Sequence, residues 1–148
     1  MGELISIKTE TPAKTEECTT DVSPSVLIVD DSMINCLVLR YYLAPTHYTI
    51  DEAHTGVEAV AKMKEHRYDF IVMDLLMPEM DGFEAMREIR CWEDEQGAAP
   101  ACIIIALTGW ELKEAELESL LCGADAHLTK PISQTRLLDI LDAHRKPR

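Results

Sequence analysis

Basic residues are scarce in this chain. Fourteen Lys and Arg stand against 27 Asp and Glu, giving a net charge of −13. Nucleic-acid binding needs clustered cations against phosphate, so a nucleic-acid partner is not expected. The acidic balance suits partners with basic patches, or sites that hold cations. Long apolar runs are also missing, and no stretch approaches membrane length, so no membrane partner is expected. The N-terminus carries no positive segment followed by an apolar one, so no secretory signal is expected. The five cysteines, Cys18, Cys36, Cys91, Cys102 and Cys122, form no C-x-x-C pair. They read as reduced thiols of a cytoplasmic protein. The five histidines show no H-x-x-x-H spacing, and a zinc site is not expected. Neither a G-x-G-x-x-G nor a P-loop occurs, so nucleotide binding has no support. Internal repeats are absent.

What is present alternates. Residues 1–24 are polar, rich in Thr, Glu and Lys, and read as a mobile tail. Residues 25–148 read as one domain. Val26-Leu27-Ile28-Val29 is a short strand ending in Asp30-Asp31. Ser32 caps a first helix, whose apolar face is read as Ile34, Leu37, Val38 and Tyr41. Tyr48-Thr49-Ile50 is a weaker strand near an edge. Thr55 to Glu58 is a capping box, with Val57, Val60 and Ala61 as the buried stripe of the second helix. Phe70-Ile71-Val72-Met73 is an apolar run leading into one carboxylate, Asp74. Pro78 and Gly82 break the chain, and Asp81 caps a third helix with Phe83, Met86 and Ile89 inward. Residues 93–100 read as an acidic loop. Ala101 to Leu107 is the most apolar strand and is expected to be central. Thr108-Gly109-Trp110 turns it into a fourth helix with Leu117, Leu120 and Leu121 inward, ended by Gly123. Ala126 to Thr129 is a fifth strand ending at Lys130-Pro131, and Ser133 starts a last helix burying Leu137, Ile140 and Leu141.

Five strands alternating with five helices predict an α/β fold, a doubly wound parallel sheet covered on both faces. Parallel strands put all their C-terminal ends on one rim, where such sheets bind ligands. That rim would gather Asp30, Asp31, Asp74, Thr108 and Lys130. Three carboxylates repel one another, and a divalent cation relieves the repulsion. Oxygen-only ligands completed by water suit Mg²⁺. A carboxylate beside such an ion can attack a phosphoryl group and become an acyl phosphate. Lys130 would meet the charge on the transferring group, and Thr108 would hydrogen-bond a phosphate oxygen. Plainer roles stand beside these. Asp30 and Asp31 could cap the first helix, Thr108 with Glu111 forms a capping box, and Lys130 could be a solvated loop residue. Trp110 could be a partner-binding surface residue.

Val29-Asp30-Asp31, Met73-Asp74 with Met77-Pro78 and Asp81-Gly82, Ala106-Leu107-Thr108, and Lys130-Pro131 together resemble a response-regulator receiver domain. The resemblance covers about 26–145, and Asp30-Asp31-Ser32-Met33-Ile34-Asn35 is most similar to receivers of hybrid histidine kinases. It implies a flavodoxin-like sheet of order 2-1-3-4-5. It implies Asp74 as phosphoacceptor, and Asp31, Asp74 and the Leu76 carbonyl as ligands of Mg²⁺, with Asp30 helping to hold the ion. Thr108 and Lys130 would bind the phosphoryl group, and His127 occupies the place of the family's switch aromatic, although it could equally be a half-buried strand residue. Leu76 and Trp110 fill positions that tune phosphate lifetime. Gly109 departs from the commoner Ala. The implied partners are a histidine kinase or histidine phosphotransfer protein, and a homodimer mate on the face of the fourth helix, fifth strand and fifth helix. The chain is then a phosphoacceptor in a two-component system or phosphorelay, not an enzyme acting on other substrates. Two other functions compete. A phosphatase working through an aspartyl phosphate would need a second Asp two residues after the nucleophile, where Leu76 stands. A pseudo-receiver that ignores phosphate would not need the intact Asp30, Asp31, Asp74, Thr108 and Lys130.

Overall fold

A computed structural model describes residues 23–97, 101–109, 114, 118–120 and 122–145. Five strands form one sheet: β1 (Ser25–Val29), β2 (Thr49–Ala53), β3 (Phe70–Asp74), β4 (Ile103–Thr108) and β5 (Ala126–Thr129). Four helices are described over their length: α1 (Met33–Leu43), α2 (Gly56–Glu65), α3 (Gly82–Gln96) and α4 (Gln134–Ala143). All neighbouring strands pair in parallel, in the order β2-β1-β3-β4-β5. β4 lies inside the sheet, but the middle place goes to β3, whose five residues are all buried. A strand covered on both faces must be apolar throughout, which is why these segments read as unbroken runs.

Each face of the sheet has its own core. Leu27, Val29, Ile71, Met73 and Ile104 pack with Ala59, Met63, Met86 and Ile89 of α2 and α3. Val26, Ile28, Val72, Ile105 and Leu107 pack with Cys36, Leu39 and Leu43 of α1 and Leu137 and Leu141 of α4. The strand residues alternate between these two sets, as the pleat requires.

The caps fall where the sequence puts them. Ser32, Thr55, Asp81 and Ser133 each accept a hydrogen bond from the backbone N–H three residues on. The helices differ from the sequence reading in four places. In α1, Cys36, Leu39 and Leu43 are buried, while Ile34, Leu37, Val38 and Tyr41 are exposed. The helix is apolar nearly all round, so periodicity alone does not choose its face. In α2, Ala59, Val60 and Met63 are buried and Val57 and Ala61 are exposed. Leu120 is exposed as well. Leu117, Leu121 and most of the predicted fourth helix lie outside the described residues, as do 1–22. Finally, 93–96 continue α3 and are not loop; the helix ends at Gly97 in the left-handed conformation.

The reason for that last difference is Arg90. Its guanidinium donates to the Gly123 carbonyl at 2.9 and 2.7 Å, to the Cys102 carbonyl at 2.8 Å, to Glu93 at 2.8 Å and to Asp125 at 2.8 Å. Glu93 in turn accepts from the Cys102 N–H at 2.9 Å, and Asp125 from the Ile104 N–H at 2.9 Å. One cation therefore ties α3 to the starts of β4 and β5. At that same N-terminal edge of the sheet, Pro24 and Arg145 line one depression with Tyr48, Leu138 and Asp142.

Candidate functional site

The chemistry-bearing side chains stand at the opposite edge. β3 delivers Asp74, which is 5% exposed, and the turn after β1 delivers Asp30, which is 1% exposed. Asp31 is exposed. Carboxylate oxygens of Asp30, Asp31 and Asp74 all lie within 4.8 Å of one another. The Lys130 ammonium reaches in from the end of β5, 3.2 Å from Asp74 Oδ1 and 3.6 Å from Asp30 Oδ2. Thr108 closes β4 and is buried. Its Oγ1 lies 2.8 Å from His127 Nε2, a contact between two strand residues that nothing in the sequence announces.

The backbone fixes these positions. Asp30 accepts from the Ser32 N–H at 2.9 Å and from the Asn35 amide at 3.2 Å, so one oxygen is held by the turn and the other by α1. The Lys130 N–H donates to the Thr108 carbonyl at 2.7 Å. The Leu75 N–H donates to the Leu107 carbonyl and the Gly82 N–H to the Leu75 carbonyl, folding the segment after Asp74 back over the rim. Gly82 is required there: a Cβ would lie 2.5 Å from the Asp74 carbonyl oxygen and 2.8 Å from Leu75 Cα. Leu76 stands at the mouth, 63% exposed, with its N–H 3.4 Å from Asp74 Oδ1. Trp110 lies outside the described residues.

Burial, and then the neighbouring Asp30 charge, push the Asp74 carboxyl up to about 6, against the opposing pull of Lys130 and the Leu76 N–H. A buried carboxylate with few donors is short of positive charge. The clustered carboxylates of Asp30, Asp31 and Asp74, all oxygen donors, fit a small hard divalent cation. The pocket thus offers a nucleophilic carboxylate, a place for a cation and one ammonium close together, with the Thr108 hydroxyl at the end of the neighbouring strand. That set suits an anion attacked by Asp74, such as a phosphoryl group.

Fold and pocket together define a doubly wound receiver of phosphoryl groups at a sheet rim. The family model described as the response regulator receiver domain matches residues 26–142. The chain belongs to that family, the receiver domains of two-component and phosphorelay signalling. It is 41% identical over 108 residues to the transcriptional regulatory protein ResD of Bacillus subtilis, covering 73% of this chain and 42% of that protein. It is 34% identical to the hybrid signal transduction histidine kinase L of Dictyostelium discoideum, covering 82% of this chain and 7% of the kinase. The chain therefore spans less than half the length of these relatives. Among solved structures it is similar to the Saccharomyces cerevisiae Ssk1 receiver domain in co-crystal with the histidine phosphotransfer protein Ypd1, with TM-score 0.75, 34% identity, and coverage of 80% and 86% of the two chains. It is also similar to the receiver domain of the sensor histidine kinase PA1611 from Pseudomonas aeruginosa, solved with a magnesium ion in its active-site cleft, with TM-score 0.72, 32% identity, and coverage of 82% and 97%.

Proposed function

We propose that Asp74 is the phosphoacceptor and takes its phosphoryl group from the phosphohistidine of a histidine kinase or histidine phosphotransfer protein. The observation that carries this is the buried Asp74 carboxylate with the Lys130 ammonium at 3.2 Å. An Asp74 oxygen attacks phosphorus, the P–N bond breaks, and the imidazole leaves with its electron pair. Lys130 faces the charge on the phosphoryl oxygens, and Thr108 donates its hydroxyl proton to one of them. Mg²⁺ held by Asp30, Asp31, Asp74 and the Leu76 carbonyl would supply Lewis-acid neutralisation of that charge. A donor protein must dock beside the pocket. α1 presents Met33, Ile34, Leu37 and Tyr41 to solvent next to Asp31, an apolar stripe suited to such a partner. Cys36, Cys91, Cys102 and Cys122 form no disulfide, which suits a reducing cytoplasmic setting.

Incubation with Mg²⁺ and acetyl phosphate tests the reading by mass spectrometry. One phosphate adduct that is labile at alkaline pH is expected. Asp31→Ala removes one anionic ligand and should need much more Mg²⁺ to label at the same rate. An unlabelled wild type, or an Asp31→Ala protein with unchanged Mg²⁺ dependence, would contradict the assignment.

The phosphorylated state should be long-lived. Hydrolysis needs a water in line behind phosphorus. Leu76 flanks the mouth, and an alkyl chain can neither orient water nor take its proton. We assign Trp110 the same shielding role. Leu76→Asn and Trp110→Glu should each lose phosphate severalfold faster than wild type. Equal decay in all three proteins would remove shielding as the cause.

Phosphorylation should also break the Thr108–His127 hydrogen bond, because the threonine hydroxyl turns to the phosphate. The imidazole, parted from Thr108, would then shift a pre-existing equilibrium on the face of the predicted fourth helix, β5 and α4, altering partner or homodimer affinity. ¹⁵N spectra of the His127 ring with and without a phosphate mimic read this directly. Identical ring shifts would refute the switch.

A further inference from the structure

A second constellation lies behind the acidic pocket, on the other side of the Asp30 backbone. Cys36 of α1, Glu52 of β2 and His54 just past β2 each bring one donor atom, all within 4.8 Å of one another. We propose that Cys36, Glu52 and His54 form a site for a borderline divalent cation of the Zn²⁺ type.

The arrangement around each donor supports this. Ligating histidines usually donate their second ring nitrogen to a carbonyl or carboxylate, which fixes the tautomer. Here His54 Nδ1 lies 3.3 Å from the Asp30 carbonyl oxygen, to which it donates. That leaves Nε2 as the lone-pair nitrogen, and it faces Glu52 Oε1 at 3.5 Å. Tetrahedral zinc with bonds of about 2.0–2.3 Å sets its ligand atoms roughly 3.5 Å apart. The other Glu52 oxygen is held by the Arg40 guanidinium, which orients the carboxylate beside His54. The backbone of His54 is itself fixed, because its N–H donates to Glu58 at 2.8 Å. Cys36 is 1% exposed and directs its thiol at the same Asp30 carbonyl, at 3.5 Å.

A coordinating metal displaces the Cys36 thiol proton outright. The thiolate selects against Mg²⁺, which takes oxygen ligands, so the two sites differ in their choice of ion. Glu52 and His54 are partly open to solvent, with side-chain exposures of 24% and 41%, which gives an ion a way in and leaves room for water as fourth ligand. The three ligands come from α1 and the end of β2, so no short motif marks them.

Titration of the full chain with Co²⁺ alone, and separately with Zn²⁺ alone, tests the site, both with Mg²⁺ present to occupy the carboxylate pocket. One Co²⁺ should bind with a thiolate-to-metal charge-transfer absorption in the near ultraviolet, and Zn²⁺ should displace it. Cys36→Ala should abolish that absorption. Because Cys36 is buried and its replacement could cost the fold, His54→Gln and Glu52→Gln serve as the second arm. Each should weaken Co²⁺ binding by at least about tenfold while the far-ultraviolet circular dichroism stays that of wild type. Three results would overturn the proposal: no charge-transfer absorption in wild type, full absorption in Cys36→Ala, or wild-type affinity in both His54→Gln and Glu52→Gln.

Discussion

Asp74→Asn is expected to take up no phosphoryl group and, without metal, to melt at a higher temperature than the wild type at neutral pH. The first half follows from chemistry, since an amide oxygen does not form the acyl phosphate. The second follows from linkage. The folded Asp74 carboxyl titrates near 6, above its ordinary 3.8, because burial and Asp30 oppose its charge. A raised folded value means that the folded state prefers the protonated form. Stability from this group is therefore fully present below about pH 4 and lost as pH rises through 6. Two pKa units correspond to roughly 3 kcal/mol, which the amide no longer forfeits at pH 7. Thermal melts in chelator should separate the two proteins at pH 7 to 8 and bring them together near pH 4. Added Mg²⁺ should stabilise the wild type more than the mutant. Persistent stoichiometric labelling of Asp74→Asn, or a mutant less stable than wild type at neutral pH, would overturn the placement of Asp74.

Arg90→Ala should cost the fold about 3 kcal/mol, since removing one partner strands a buried charge. Glu93 is 5% exposed and would keep only the N–H and thiol of Cys102 as partners, while the Gly123 and Cys102 carbonyls and Asp125 each lose their guanidinium donor. For a domain of this size that is a fall of roughly 10 °C in Tm. Burial opposes ionisation of Glu93, yet the Cys102 N–H and then Arg90 hold its carboxyl below the ordinary range. A lowered folded value gives stability that is present above the ordinary carboxylate pKa and lost as pH falls below it. The deficit of Arg90→Ala relative to wild type should thus narrow in acid. A variant melting within about 2 °C of wild type at neutral pH would show that Arg90 is dispensable.

Much of this was legible in the sequence, for definite reasons. Strands buried on both faces are written as unbroken apolar runs, so Val26–Val29, Phe70–Met73 and Ala101–Leu107 could be seen, while their order in the sheet came from the resemblance alone. Parallel strands make their ends coincide, so Asp30, Asp31, Asp74, Thr108 and Lys130 could be placed on one rim. The helix faces were less legible. α1 carries apolar residues on the buried and the exposed side alike, so Ile34, Leu37, Val38 and Tyr41 read as core. Glu93 read as loop because charge argues for solvent, and only the distant Arg90 and Cys102 make its burial tolerable. Contacts between residues far apart in the chain, such as Thr108 with His127 or Arg90 with Gly123, leave no periodic trace.

The depression shared by Pro24 and Arg145 gives the domain the geometry of a plug. Where the backbone enters and where it leaves lie side by side, a sheet's height away from Asp74. Such a unit can be spliced into the loop of a host protein, or have its ends bridged by a short linker and new ends opened elsewhere, without the reacting rim being obstructed. Engineers seeking a phosphate-driven hinge between two reporters would fuse both at this edge.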